Sequence, residues 1–153
     1  MTMTRYLGTQ GFVTRYAGGA AFLAVLAAAP VAAQNYAILS TNLFGENVPG
    51  GGADSDAIAD FDGEIDLTQD RLCYYLEMEG LNGADAAHVH RAKSGESGPV
   101  VVTLPLPGTP GDEVCVNIEK SLLRSMADQP SDYYVDVHSA DKPDGALRGQ
   151  FGG

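Results

Sequence analysis

Apolar and polar residues alternate along most of this chain with a period of two, which is the pattern of strands that bury one face. Ala57, Ala59, Phe61, Ile65 and Leu67 fall on one side of a run, and Ile58, Asp60, Asp62, Glu64 and Asp66 on the other, provided the register holds through Gly63. Leu72, Tyr74, Leu76 and Met78 next alternate against Cys73, Tyr75, Glu77 and Glu79, until Gly80 and the Asn82-Gly83 turn end the run. Further β-prone runs cover 36–43, 86–91, 99–104, 113–117, 133–138 and 145–151. The run from Pro99 to Leu104 is apolar on both faces, which predicts a central strand.

One segment departs from this period. Ile118, Leu122, Leu123 and Met126 share a helical face, with Asn117 as cap, Glu119 in the first turn and Gln129-Pro130 at the end. This predicts one short helix near residues 118–128, which must dock on a sheet to be stable. Short strands at turn-bounded spacing predict an all-β domain, an antiparallel two-sheet β-sandwich carrying that helix.

The start of the chain reads differently. Arg5 and Arg15 precede an uncharged apolar run from Ala17 to Ala29, and Val31-Ala32-Ala33 forms a small-residue cleavage site. The run is shorter than the roughly 20 residues of a spanning helix. Residues 1–33 are therefore expected to be a signal peptide, and 34–153 the exported domain, periplasmic or extracellular, with no stable membrane span after cleavage. Of 9 Lys and Arg, two lie in the signal, leaving 7 against 20 Asp and Glu, a net charge of −13 (7 minus 20). Such a chain repels nucleic acid and anionic lipid, and its partner is expected to be a protein or small ligand. Export also bears on the two cysteines. In an oxidising compartment Cys73 and Cys115 are expected to pair, and neither has a second cysteine at metal-ligand spacing.

Chemistry concentrates on the three histidines. His88 and His90 stand at i and i+2, hence on one face of a strand, and His138 closes another strand-like run. If the strands are neighbours, three imidazoles converge, a donor set suited to copper or zinc. Asp136 shares a face with His138, and Asp85 is near His88 in sequence. Either is a candidate fourth ligand, or a partner that orients a ring. The competing reading is that these rings are packing residues hydrogen-bonded to backbone or to Asp136. Arg148 is a candidate anion or ligand contact, or else a structural fork bound to carbonyls. The chain has no Gly-x-Ser-x-Gly elbow, phosphate-binding loop or zinc-protease helix.

Three motifs occur in order: Ala87-His88-Val89-His90-Arg91-Ala92 with Gly95-Glu96-Ser97-Gly98-Pro99-Val100, Tyr133-Tyr134-Val135-Asp136-Val137-His138, and Pro143-Asp144-Gly145-Ala146-Leu147-Arg148-Gly149-Gln150-Phe151. Together they resemble the CHRD (chordin-like) domain family over about Tyr36 to Phe151. That family more often has Asn where this chain has Asp136. The resemblance implies an immunoglobulin-like or superoxide-dismutase-like sandwich and a non-catalytic binding or interaction module of undefined ligand. The His88-Val89-His90 strand with His138 and Arg148 is also distantly similar to Cu/Zn superoxide dismutase, but the further histidines of that family are missing. The alternative function is thus a copper- or zinc-binding protein using His88, His90 and His138, with superoxide or redox chemistry as its extension.

Overall fold

Gly63 decides whether the alternation after Ala57 survives. The computed structural model describes residues 34–152, and the segment 1–33 read as a signal lies outside them. In β2 (Ile58–Asp66), Ala59, Phe61 and Ile65 are buried while Asp60, Asp62 and Glu64 are exposed. The register holds because Gly63 leaves room for the Phe61 ring, which a Cβ there would approach to 2.8 Å. Asp66 is the exception on the outer side. It is buried and accepts hydrogen bonds from the backbone of Thr68 (2.8 Å) and Gln69 (3.2 Å), turning the chain toward the next strand. The Thr68 hydroxyl, followed by these amides, holds its carboxyl below the usual range against the opposing effect of burial.

Seven further strands join it in antiparallel pairs, each with its neighbours: β1 (Tyr36–Phe44), β3 (Arg71–Glu79), β4 (Ala84–Arg91), β5 (Val100–Leu104), β6 (Val114–Asn117), β7 (Tyr133–Ser139) and β8 (Lys142–Gln150). The expected all-β antiparallel class with one helix is observed, but its division into two sheets is corrected. The strands form one sheet in the order β5-β4-β7-β8-β1-β2-β3-β6, because Phe44 of β1 pairs with Arg148 of β8 and joins the two halves. The sheet folds back on itself. Tyr74 of β3 donates to the Pro105 carbonyl just past β5 (2.6 Å), and Phe61 packs on Phe151 at 5.4 Å. Between the halves lie Leu39, Leu43, Ile65 and Leu72 from one side and Ala87, Val89, Val135, Val137 and Leu147 from the other, all at most 2% exposed. Each large apolar side chain buried there contributes about 1.5–3 kcal/mol.

Two local expectations change. β5 is an edge strand rather than a central one, with Val100 49% exposed. A β-branched run reports fitness for a pleated surface, not position within the sheet. The helix α1 (Lys120–Asp128) starts later than expected, since Glu119 is its cap and accepts from the Ser121 backbone (2.7 Å), while Asn117 ends β6. Leu123 and Met126 are its buried residues, so the docking face is as expected. Among the described residues no helix is long and apolar enough to cross a membrane.

Cys73 and Cys115 stand directly opposite each other on β3 and β6 and are joined by a disulfide spanning 42 residues. The bond ties a four-residue edge strand to the sheet and closes the loop that contains the histidine strand. A Cys73→Ser, Cys115→Ser variant should therefore lose about 2–4 kcal/mol in urea unfolding while keeping a β-type circular dichroism spectrum. An unchanged urea midpoint would contradict this.

Candidate metal centre

The pairing of β4 with β7 assembles the site. Ala87 and Val89 enter the core, so His88 and His90 stand on the opposite face. On β7, Tyr133, Val135 and Val137 enter the core, and Tyr134, Asp136 and His138 share the face with the histidines. The register sets His88 opposite Asp136, His90 opposite Tyr134 and Ala86 opposite His138. On its other side, Asp136 pairs with Arg148 of β8.

This face is covered although it points away from the core. The 92–99 loop lies over it, held by Arg91 N–H to the Pro99 carbonyl (3.1 Å), Arg148 Nη2 to Lys93 (3.2 Å) and Gln150 Nε2 to Ala92 (3.0 Å). Gly98 is required in that cover, because a Cβ would meet the Arg91 carbonyl oxygen at 2.0 Å. A small cavity of about 50 Å³ remains beside the site, with Ser97, Tyr134, Asp136 and Arg148 in its lining.

Asp136 sits at the centre of the cluster. Its Oδ2 is 3.0 Å from His90 Nε2, and its Oδ1 is 3.1 Å from His138 Nε2 and 3.7 Å from His88 Nδ1. One donor atom from each of the four residues falls within 4.8 Å of every other. The opposite ring nitrogens fix the tautomers: His90 Nδ1 donates to the Gly98 carbonyl (2.8 Å) and His138 Nδ1 to the Pro143 carbonyl (2.9 Å). A carbonyl only accepts, so both Nδ1 atoms carry the proton, and the neutral rings turn Nε2 lone pairs toward a carboxylate. Lone pairs and a carboxylate in a buried site repel unless positive charge lies among them, either a proton or a metal ion. Among the described residues seven buried side-chain polar atoms lack a hydrogen-bond partner. Four of the seven are His88 Nδ1, His90 Nε2, His138 Nε2 and Asp136 Oδ1.

Burial is the largest influence on both strand-β4 histidines. It holds His88 below its ordinary value, partly opposed by Asp136 and reinforced by His138 and His90. In His90 burial also acts downward, but the Asp136 hydrogen bond, the Gly98 carbonyl and the Asp136 charge outweigh it and leave the ring above its ordinary value. Burial lowers the Arg148 guanidinium as well, which still remains charged near neutrality.

Of the residues singled out in the sequence, His88, His90, His138 and Asp136 converge, and Asp85 does not. Asp85 is exposed and falls in the irregularity between Ala84 and Ala86, where it has no cross-strand partner on β7. Arg148 is 3% exposed beside the cluster, bonded to the Lys93 carbonyl and lying 3.5 Å over the Tyr134 ring. Sequence reasoning missed Tyr134, whose ring stacks on His90 at 4.7 Å and 6°. Its spacing of two from Asp136 was the available signal.

The tautomers give a direct prediction. In metal-free protein with its imidazoles neutral, ¹⁵N spectra should show His90 and His138 protonated at Nδ1, and Gly98→Ala should cost about 1–3 kcal/mol and remove that preference at His90 alone. Nε2-protonated rings in the parent would contradict the geometry.

The family-level comparison agrees with the motifs. No curated protein and no solved structure matches the chain. The family model described as the CHRD domain matches residues 39–151, from the middle of β1 to the residue after β8 and so across every site residue, and the chain belongs to the CHRD-domain family.

Proposed function

We propose that this protein is an exported CHRD-domain binding module that takes up one transition-metal ion, zinc or copper, through His88, His90, His138 and Asp136. The observation that carries the reading is the convergence of four buried, unpartnered donor atoms, two of them lone pairs whose direction is fixed by backbone carbonyls. Ligating histidines characteristically give their other N–H to a carbonyl or carboxylate in this way. The donor set also fits the ion. Three imidazoles and one carboxylate suit zinc or copper and not the all-oxygen shells of calcium and magnesium. Bonds of about 2.0–2.1 Å to a tetrahedral zinc place neighbouring donors roughly 3.3 Å apart. The Asp136 oxygens lie 3.0, 3.1 and 3.7 Å from the three nitrogens.

Export is part of the proposal. It is supported by the signal-like segment 1–33 and by the Cys73–Cys115 disulfide, which belongs to an oxidising compartment. The binding role is supported by the family match over residues 39–151. Arg148 is mostly committed to Lys93 and Tyr134, so its part is to keep a positive charge beside Asp136 and close the loop over the site.

Metal analysis of natively exported protein should find one zinc or copper per chain. His90→Ala and Asp136→Asn should each weaken binding by about 100-fold or more, beyond the usual loss of an outer-shell partner. Affinity should fall as pH drops, because protons compete for the ligating nitrogens. Protein without metal that also fails to take up added zinc or copper would refute the reading and leave a proton-bridged packing cluster. Binding that is indifferent to pH would exclude histidine ligation.

A further inference from the structure

We propose that Tyr134 is a positioning residue for the site, clamped flat by Arg148 so that it fixes the plane of the His90 ring. The proposal rests on the metal-binding reading above. His90 has one hydrogen bond away from the cluster, from Nδ1 to the Gly98 carbonyl at 2.8 Å. A single bond anchors one edge of an imidazole but leaves the ring free to pivot about it. The Tyr134 ring removes that freedom, lying 4.7 Å from His90 between centroids and tilted by 6°. The other His90 neighbour, His88, meets it nearly edge-on at 87°, a contact that does not define a plane.

Tyr134 is itself held on three sides. The Arg148 guanidinium carbon lies 3.5 Å from its ring centroid, and because β7 runs between β4 and β8, His90 and Arg148 reach the ring from opposite sides; Arg148 in turn bonds the Lys93 carbonyl. Its phenol oxygen accepts from Gly98 N–H at 3.4 Å, so the residue that anchors the edge of His90 also anchors the edge of Tyr134. The side chain is almost fully buried, and its backbone is the cross-strand partner of His90. Guanidinium, phenol and imidazole thus form a three-layer stack. The last layer aims Nε2 at Asp136 from 3.0 Å. Guanidinium and aromatic faces attract, which keeps the middle layer from swinging out with the loop.

The test measures the zinc Kd of the mature chain by competition with a chromophoric chelator, for the parent, Tyr134→Phe, Tyr134→Leu and Arg148→Met. The ¹H shifts of the His90 ring are recorded alongside in zinc-free protein. The parent should show His90 protons moved upfield by the ring above them. Tyr134→Phe should retain that shift and most of the affinity, since it keeps the stack. Tyr134→Leu should lose the shift and about 10- to 100-fold in affinity, the scale of an outer-shell partner. A purely structural role would lower the unfolding midpoint of Tyr134→Leu and leave the zinc Kd of its folded fraction at the parent value, which would overturn the proposal. Should Tyr134→Leu fail to fold, Arg148→Met decides: a smaller loss in both readouts supports the clamp, and no change in either overturns it. A parent that shows the upfield shift but binds no zinc would refute the metal reading, and the positioning role with it.

Discussion

A carboxylate buried among three imidazole nitrogens is the constraint on which the rest of this structure turns. Asp136 is 6% exposed, and two of the nitrogens that face it are locked as lone-pair donors by carbonyls on the far side of their rings. Burying a charge is tolerable only with a compensating partner: Arg148 stands on one side of Asp136, and the ring lone pairs on the other call for a proton or a metal ion. The register of β4 against β7 enforces the encounter, since a one-residue slip would send the histidines into the core and Val89 or Val135 to the site. Irregularities in pairing fall between Ala84 and Ala86 on the β7 side and between Val89 and His90 on the β5 side, so His88 and His90 remain in step with Asp136 and Tyr134.

The two halves of the sheet use the same alternation to different ends. On β1, β2 and β3 the outward residues are left to solvent, and Asp60, Asp62 and Glu64 are exposed carboxylates beside Ile38 and Tyr75. On β4, β7 and β8 the 92–99 loop covers the outward face, and Asp136, Arg148 and the histidines become partly or fully buried. Solvation separates Asp136 from these three exposed carboxylates. An exposed aspartate is stabilised by water, whereas Asp136 depends on what stands within 4 Å of it.

Much of this was readable from the chain. Period-two alternation located the strands, including the passage of β2 through Gly63, and the i, i+2 spacing placed His88 and His90 on one face. The same parity rule joined Asp136 to His138, whereas the place of Asp85 is set by the irregularity between Ala84 and Ala86, which alternation does not reveal. What could not be read was set by contacts distant in sequence. The pairing of Phe44 with Arg148 makes one sheet of two halves, and β-branched composition gave no hint that β5 lies at an edge. Glu119 took the cap expected of Asn117 because β6 continues through Asn117. Tyr134 went unnoticed because its part depends on the layers above and below it, Arg148 and His90, which come from different strands.

The central claim is that the positive charge among these donors is a metal ion bound by three imidazoles and one carboxylate. X-ray absorption at the zinc edge of the zinc-loaded protein tests it most directly. The account predicts a shell of nitrogen and oxygen alone at about 2.0–2.1 Å, with scattering from three imidazole rings that falls to two in His90→Ala. A shell with sulfur, or one with fewer than two imidazoles in the parent, would contradict it.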